Sequence, residues 1–432
     1  MVMSVRLPSR LPLRCVLLAA LLGVPACSDA SAPSPGPITQ LPRDLSAVER
    51  SVISASNAFG LDLMGRVSGE DPRLNVVLSP ISASMALGMT LNGASSTTFD
   101  AMRSALGFGS LTQDQINDSY RELIDLLTDL DPAVRFDIAN AIWANENVPF
   151  HAAFFEAVSA AFDARAESRD FGDPATVVAI NDWVQENTGG LIDSIVDSLD
   201  PSLVMLLVNA IYLDAAWTVQ FDPEDTYGAV FAREDGSSVP VDMMSRSDAQ
   251  VPFASTSEYV AVELPYGGAA FSMVIVVPTL GVTVRNFLLG LDAPAWQALV
   301  SGLAERELGQ VGLPKFTLTY DGFLNDALKA MGMEVAFAPG ADFTRMSPIG
   351  DELCISFVRQ KTFIEVDERG TRAAAVTGVG VGVTSAPPSF VADRPFFFAI
   401  RERLSGTLLF TGVVGDPTAE DPGPETFTTD CG

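Results

Sequence analysis

The sequence predicts an α+β fold with sizeable β-sheets, built as one large domain. Helical apolar periodicity dominates the first part of the chain, whereas short runs of β-branched and aromatic residues bounded by Gly, Pro or Asp dominate the later part. No repeat of about 20 to 50 residues is found, and no second Pro/Ser/Gly-rich linker follows Ser46. The separation of helices from strands favours the α+β class, and a 48% hydrophobic chain of 432 residues can bury a large core.

The helices are predicted from periodicity and capping residues. The first covers Leu45 to Val67, and Ser79 with Pro80 forms the N-cap and first turn of the next, which runs through Met85 and Met89. Further helical patterns cover 114–127, 152–161 and 177–187.

The strands are predicted from their composition. The segments are YVAVELPY (259–266), FSMVIVVP (271–278), KTFIEVDE (361–368), PFFFAIRE (395–402) and TLLFTGVVGD (407–416).

The N-terminus has the pattern of an export signal. Three arginines precede an apolar run, Val16 to Val24, that is too short for a comfortable membrane span. The run ends in Val24-Pro25-Ala26-Cys27, which resembles a bacterial lipobox with Cys27 as the lipidated residue. Pro25 fits imperfectly, so ordinary cleavage near Ala26 without a lipid stays open.

These features divide the chain into four parts. Residues 1–26 are the signal peptide, of lipoprotein type, and 27–45 are a Ser/Ala/Pro-rich tether. The domain covers 46–417, and 418–432 are a C-terminal tail. We therefore expect an exported protein, located outside the cell, on the cell surface or in the periplasm.

The net charge and the number of cysteines limit the partners and the disulfides that this chain can have. With 26 basic and 54 acidic residues the net charge is −28, which disfavours nucleic-acid partners and leaves membrane contact only to a lipid anchor. After the signal and Cys27, only Cys354 and Cys431 remain. They can form one disulfide, and a free core thiol with a separate terminal Cys stays an equal alternative.

The residues needed for common catalytic and metal sites are missing. His151 is the single histidine, expected as a helix-capping or surface residue, and no nucleophile elbow accompanies it. His or Cys pairs at zinc-site spacing are absent, and GVGVGV at 378–383 lacks the spacing and the Lys of a phosphate loop. The sequence predicts no cofactor and no metal, and it disfavours an enzyme.

One segment is too apolar for a solvated loop and too rich in glycine for an ordinary strand. In EVDERGTRAAAVTGVGVGVTSAPPS (365–389), the alternate residues from Thr371 to Val383 are all small or β-branched, as the buried face of a strand requires. The intervening positions are mixed and include Gly378, Gly380 and Gly382. The segment therefore has the pattern of a strand that can join a sheet.

Several motifs, in order along residues 46–417, resemble the serpin family. VDERGTRAAAVT resembles the reactive-loop hinge of inhibitory serpins, and FVADRPFFFAI (390–400) resembles the family's C-terminal signature. NVVLSPISASMALGMTLNGASSTTFDAM, INDWVQENTGGLI and LVNAIYLDAAWTVQFDP resemble its second helix with the shutter, its central helix and the following strand. The chain is identified as resembling an inhibitory-type bacterial serpin.

The resemblance implies the serpin fold, with helices packed on three β-sheets and an exposed reactive-centre loop. It implies a suicide-substrate trap, in which a serine protease forms a covalent acyl-enzyme with the loop, which then inserts into the central sheet. A strand from Thr371 to Thr384 would carry the bound protease roughly 45 Å at about 3.3 Å per residue. The expected partner is the protease, and the expected inhibitor is a monomer.

The resemblance also assigns site residues. The reactive bond falls between Thr384 and Ser385, which suits an elastase-like or subtilisin-like protease with a small apolar primary pocket. The remaining assignments are the loop hinge (Glu368, Gly370, Thr371, Ala373, Ala374 and Ala375) and the shutter and breach (Ser79, Ser82, Asn209, Trp217 and Gln360).

The sequence differs from the family pattern at two points, and two alternative functions stay open. Gln360 stands where many members carry His, although an amide still donates and accepts hydrogen bonds. Glycines at 378, 380 and 382 are expected to weaken an inserted strand by roughly 0.5–1 kcal/mol each relative to Ala. The rivals are a non-inhibitory serpin that binds or chaperones, disfavoured by Thr371 and the alanines, and a secreted hydrolase, disfavoured by the missing histidines.

Overall fold

The helices predicted from periodicity are present in the structure, a computed structural model that describes residues 36–70, 74–371 and 387–419. Ser79 caps its helix as expected, because its Oγ accepts a hydrogen bond from the Ser82 amide and Pro80 occupies the first turn. His151 is exposed at the N-cap of its helix without a side-chain capping bond. The helices are α1 (Ala47–Glu70), α2 (Pro80–Gly93), α3 (Ser96–Ala105), α4 (Gln113–Thr128), α5 (Ala152–Phe162), α6 (Pro174–Asn187), α7 (Val284–Leu289), α8 (Ala293–Gly302), α9 (Asn325–Leu328) and α10 (Glu334–Phe337).

The five predicted strands begin and end within two residues of their expected positions, as β7, β8, β11, β14 and β15. The strands are β1 (Asn75–Leu78), β2 (Val134–Asn145), β3 (Ala164–Arg169), β4 (Met205–Ala216), β5 (Tyr227–Ala232), β6 (Ser238–Ser255), β7 (Tyr259–Tyr266), β8 (Phe271–Pro278), β9 (Ala304–Pro314), β10 (Phe316–Phe323), β11 (Arg359–Val366), β12 (Gly370–Thr371), β13 (Ser389–Val391), β14 (Phe396–Glu402) and β15 (Leu408–Val414).

The expectation of a mainly helical first part is incomplete, because β2 and β4 are both twelve residues long. Both faces of β2 and β4 are covered, so neither strand has the simple apolar and polar alternation of a half-solvated sheet. Alanine and asparagine in β2 weaken the compositional signal further. The two segments pair with each other from Val134–Ala215 to Ala144–Met205, and this pairing holds both of them extended.

Three sheets are formed by the described strands, as predicted. The large sheet has the order β1-β15-β14-β8-β7-β6-β9-β13, with β5 also paired to β6. The second contains only β10 and β11, and the third has the order β12-β4-β2-β3. In the two smaller sheets, β4 and β11 are the facing edges.

The core lies on the large sheet, where every residue of β14 and β15 is buried. The end of the predicted tether also contacts this domain: Ile38, Leu41 and Leu45 pack against the core, and the Ile38 amide donates to the Gly268 carbonyl. Residues 37–45 are therefore part of the compact unit that begins at Pro37. In the described part of the chain, no helix is both long and apolar enough to cross a membrane.

Phe397 tests the importance of this core. Its ring is fully buried and lies edge-on to Trp296, with centroids 6.2 Å apart. We expect Phe397→Ala to lower the free energy of unfolding by about 3–5 kcal/mol, because it leaves a cavity. Denaturant titration measures this loss, and Leu280→Ala, at an 88% exposed residue, is the control. Equal effects of the two changes would contradict the assignment of Phe397 to the core.

Candidate functional site: an open slot between two strands

A slot separates β4 from β11. β4 pairs with β2 on one side and β11 pairs with β10 on one side, and in the described residues only β12 adds strand pairing to the facing edge of β4. The slot is lined by residues 209–213 of β4 and 360–365 of β11, with Thr371 at one end. Unpaired strand edges are a template for another strand.

The two residues of β12 occupy the mouth of the slot, where Gly370 lies opposite Ala216 and Thr371 lies opposite Ala215, antiparallel to β4. Gly370 has φ +144°, and a Cβ there would lie 2.3 Å from the Ala215 carbonyl oxygen and 2.7 Å from the Trp217 amide nitrogen. Only glycine fits this close approach of two backbones. Gly370 and Thr371, two of the predicted hinge residues, therefore already form a short strand beside β4.

Aromatic side chains fix the mouth from the core side. Trp217 stacks on Tyr266 with ring centroids 4.4 Å apart, and its Nε1 donates to the Asp367 carbonyl at 3.0 Å. The Trp217 amide donates to the Arg369 carbonyl at 2.8 Å. The turn from β11 into β12 is thus held to the end of β4 at several points, and the breach role of Trp217 stays a prediction.

Glu368 holds the same turn from the other side. Its carboxylate lies 2.9 Å from Lys315 Nζ and accepts a 2.8 Å hydrogen bond from Thr226 Oγ1, and the side chain is largely buried. Burial acts to raise the pKa of Glu368, but the hydrogen bonds from Lys315 and Thr226 outweigh it and hold the pKa below the ordinary value. Glu368 is therefore an ionised anchor of the hinge.

Ser79 and Gln360 form a polar cluster halfway along the slot. The Gln360 amide nitrogen donates to the Ser79 carbonyl at 3.1 Å, and its oxygen accepts from the Ser79 amide at 3.3 Å. Ser79 Oγ also donates to the Leu409 carbonyl at 2.7 Å. The Gln360 amide thus ties β11 to the start of α2, and Ser82 lines the slot beside it.

Asn209 faces this cluster from β4. Its Nδ2 donates to Asn140 Oδ1, and Asn140 in turn donates to the Phe162 carbonyl. The Asn209 Oδ1 is buried, and no described group donates a hydrogen bond to it. A buried acceptor without a donor is costly, and it marks a place where an incoming group can be bound.

A connecting segment, residues 191–203, covers the outer face of the slot between α6 and β4. Asn181 of α6 holds it by accepting hydrogen bonds from the Ile195 and Val196 amides and by donating to the Val196 carbonyl. Arg359 of β11 donates to the Ile195 carbonyl at 2.9 Å. The connecting segment therefore spans from the β4 side to β11, above any strand that enters.

The structure brings together the described members of the predicted site at two points of the slot. Glu368, Gly370, Thr371 and Trp217 lie at the mouth, and Ser79, Ser82, Asn209 and Gln360 lie at the middle.

Sequence reasoning missed three residues that hold the mouth, namely Lys315, Thr226 and Tyr266. Each contacts a hinge residue that is distant in the chain: Thr226 and Glu368 are 142 positions apart, and Tyr266 and Thr371 are 105 positions apart. The aromatic end of YVAVELPY is the only local signal for Tyr266. No pattern of nearby residues points to the other two.

Several predicted residues lie outside the described residues, namely Cys27, Ala373, Ala374, Ala375, Thr384 and Ser385. Cys354 is disulfide-bonded, and the other cysteines of the chain all lie outside the described residues. Its pairing with Cys431 stays a prediction. In the described ranges, no group of three or more His, Cys, Asp or Glu residues is arranged to hold a metal ion.

Known proteins share both the sequence and the fold. The family model for Serpin (serine protease inhibitor) matches residues 54–417. Serpin-Z1C of wheat, Triticum aestivum, is 34% identical over 85% of this chain and 97% of its own length. The structure of human thyroxine-binding globulin complexed with thyroxine superposes with a TM-score of 0.78 at 26% identity, covering 86% of this chain and all of that one.

A second solved structure, the thermophilic serpin tengpin in its native state, superposes with a TM-score of 0.77 at 29% identity over 89% of this chain and 97% of that one. The family model covers most of the chain, and the superposed structures share its helices and sheets. The chain belongs to the serpin family.

Proposed function

We propose that this serpin inhibits serine proteases as a single-use trap, by cleavage of its reactive loop and insertion of the loop into the slot between β4 and β11. The observation that carries the proposal is that Gly370 and Thr371 are already paired with β4 at the mouth of a slot that is otherwise open. The protein is then a substrate that stops its protease and not a catalyst. No turnover cycle is required of it.

The register at the mouth defines where each further residue would lie. Extending the pairs Gly370–Ala216 and Thr371–Ala215 places residues 373, 375 and 377 opposite Leu213, Ile211 and Asn209. Extending the bridge between Asp367 and Gly370 places the same three residues opposite Ile364, Thr362 and Gln360 of β11. These β4 and β11 residues line the slot, so the small inward set predicted from the sequence matches the inner face on both strands.

Thr377 would then reach the middle of the slot, between Asn209 and Gln360. Its hydroxyl can donate to the buried Asn209 Oδ1, which has no described donor. Insertion would supply the hydrogen bond that Asn209 lacks. This side-chain hydrogen bond would stabilise the inserted strand in addition to its backbone hydrogen bonds.

The glycines also fit this register. Residues 378 and 380 would lie opposite Val208 and Leu206, whose side chains pack with Ile192, Val196 and Leu203 of the connecting segment. Any side chain at these two positions would therefore point at the connecting segment. Glycine lets a strand pass beneath it while the hydrogen bonds from Asn181 and Arg359 stay in place.

The predicted reactive bond, Thr384–Ser385, supports a target with a small apolar primary pocket, as in elastase-like or subtilisin-like proteases. The export signal supports placement outside the cytoplasm, with Cys27 as a lipid anchor. A lipid-modified N-terminal Cys27, detected by mass spectrometry of the protein purified from its host membrane, tests this part separately.

The resemblance to thyroxine-binding globulin in complex with thyroxine favours a second candidate, a non-inhibitory serpin that binds a ligand. The hinge argues against it, because Gly370 and Thr371 are small and already paired with β4. The two candidates differ in a simple experiment with protease.

The trap predicts an SDS-stable covalent complex between the purified protein and an elastase-like or subtilisin-like protease. Thr371→Arg should abolish the complex but leave cleavage intact, because a charged side chain cannot enter the space between Ala215 and Tyr266. Gel electrophoresis measures both products, and Arg369→Ala, at an exposed neighbour, is the control. Clean cleavage of the unmodified protein without a complex would support the non-inhibitory candidate, and turnover of a peptide by the protein itself would overturn both.

Gly380→Val tests whether steric contact with the connecting segment or strand propensity determines how well the loop inserts. Propensity alone predicts better insertion, because Val favours strands. Contact with the connecting segment predicts slower insertion, and we expect the moles of inhibitor consumed per protease inhibited to rise several-fold. Gly380→Ala should give an intermediate value, and the association rate constant should not change. A stoichiometry that falls in the order Gly, Ala, Val would contradict the placement of Gly380 beneath the segment.

Because the Glu368 carboxylate is ionised, we expect its stabilising effect on the hinge to depend on pH. Because its folded-state pKa lies below the ordinary 4.5, the anchor stabilises the native state above about pH 4.5 and is lost as the pH falls through the folded pKa. Glu368→Gln should lose inhibitory activity on storage several-fold faster at pH 7, since the charged partner of Lys315 is gone, and Lys315→Met should do the same.

The difference between the unmodified protein and Glu368→Gln should shrink as the storage pH falls below 4.5. Glu258→Gln, at an exposed carboxylate, controls for the general effects of acid. A difference that stays constant from pH 7 to pH 3.5 would show that the charge of Glu368 does not hold the hinge.

A further inference from the structure

Tyr266 contacts the first loop residue inside the slot. The Tyr266 hydroxyl lies 3.0 Å from Thr371 Oγ1, and both side chains are buried. Burial raises the pKa of Tyr266 far above its ordinary value, so the phenol stays neutral and can exchange one hydrogen bond with the threonine. Withdrawal of Thr371 from the slot would leave the buried Tyr266 hydroxyl without this hydrogen-bond partner.

The backbone around Tyr266 is fixed relative to β4. The Gly267 amide donates to the Ala216 carbonyl at 2.8 Å, and the Thr218 amide donates to the Pro265 carbonyl at 2.8 Å. The Tyr266 ring is held by its stack on Trp217. The phenol therefore cannot follow Thr371 out of the slot, and the contact between them is either made or broken.

We propose that the Tyr266–Thr371 hydroxyl pair is a latch that holds the start of the reactive loop in the slot of the uncleaved protein. Tyr266 is then a positioning residue with two opposite effects, and this inference rests on the proposed inhibitory function. The latched hinge shortens the exposed loop, which slows the attack of the protease. After cleavage, the same paired hinge is the first rung on which the rest of the strand forms, which speeds insertion.

Tyr266→Phe removes only the phenol oxygen and tests both effects. We expect the association rate constant with the protease to rise about three- to tenfold, the range for one buried hydrogen bond. The stoichiometry of inhibition should rise as well, because more acyl-enzyme is hydrolysed before insertion. Tyr120→Phe is the matched control, since Tyr120 is also fully buried and its hydroxyl bonds to Ser84 away from the slot. It should lower stability without changing either kinetic value.

Variants of Thr371 complete a double-mutant cycle. Thr371→Val, which keeps the shape without the hydroxyl, should reproduce Tyr266→Phe, and Thr371→Ser should retain the behaviour of the unmodified protein. The double variant Tyr266→Phe/Thr371→Val should be no more affected than either single variant, because both remove the same contact. Additive effects would overturn the latch.

Hydrogen exchange supplies a test that needs no protease. If the latch holds β12 in place, the amides of residues 366–371 should exchange faster in Tyr266→Phe than in the unmodified protein or in Tyr120→Phe. Unchanged exchange there would overturn the inference even if the unmodified protein forms covalent complexes. A protein that shows the exchange difference but forms no complex would keep the latch and contradict the inhibitory function.

Discussion

The gap between β4 and β11 is the constraint on which the rest of this structure depends. Buried backbone N–H and C=O groups are nearly always paired, and strand edges are nearly always paired or covered. Here two long strands face each other across a space that only Gly370 and Thr371 enter as strand in the described residues. The connecting segment covers the outside of the space, and the Ser79–Gln360 pair lies at its inner side. The large sheet, by contrast, contains two paired strands, β14 and β15, in which every residue is buried.

In the proposed trap, two tethers explain how the gap can stay open although its closure by a strand would be favourable. Each added backbone hydrogen bond contributes only about 0.5–1.5 kcal/mol, but a whole strand adds many of them. In an intact chain the loop cannot form all of these hydrogen bonds, because both of its ends are fixed. One end is anchored at Glu368, and the other continues into β13, which pairs with β9 in the large sheet. Cleavage between these anchors removes the second tether only. In the proposed trap the barrier to insertion is therefore covalent connectivity, and the contacts at the mouth would determine how insertion starts and not whether it is favourable.

The sequence predicted those parts of the fold and site that depend on local chemistry. β7 and β8 have the predicted bounds because β-branched runs between Gly and Pro report local propensity, and Ser79-Pro80 is a capping pair that acts within one turn. β2 was not predicted, and β4 was expected only from the family resemblance, because both strands pair with partners far away in the chain. The same limit separates the predicted hinge residues, which the resemblance assigns from a local motif, from Lys315 and Tyr266, which contact the hinge from distant positions in the chain. Three sheets meet at the mouth of the slot, and the contacts that a side chain makes there depend on how these sheets pack. The sequence pattern within a single strand does not predict such contacts.

In the proposed trap, Gly378 and Gly380 belong to a segment that changes its surroundings, and strand propensity is then an incomplete guide to its sequence. Judged as a strand alone, the Gly-Val alternation is weak, since glycine lacks a side chain to pack. Judged against Val208, Leu206 and the connecting segment above them, the outer positions of an inserted strand have little room for a side chain, and the inner positions meet the slot-lining face of β4. In an inserted strand, the glycines would then face the connecting segment, and the valines would face the inner side of the slot. A strand that must enter an assembled protein is selected for fit to a gap that already exists, whereas propensity scales describe strands that fold together with their neighbours.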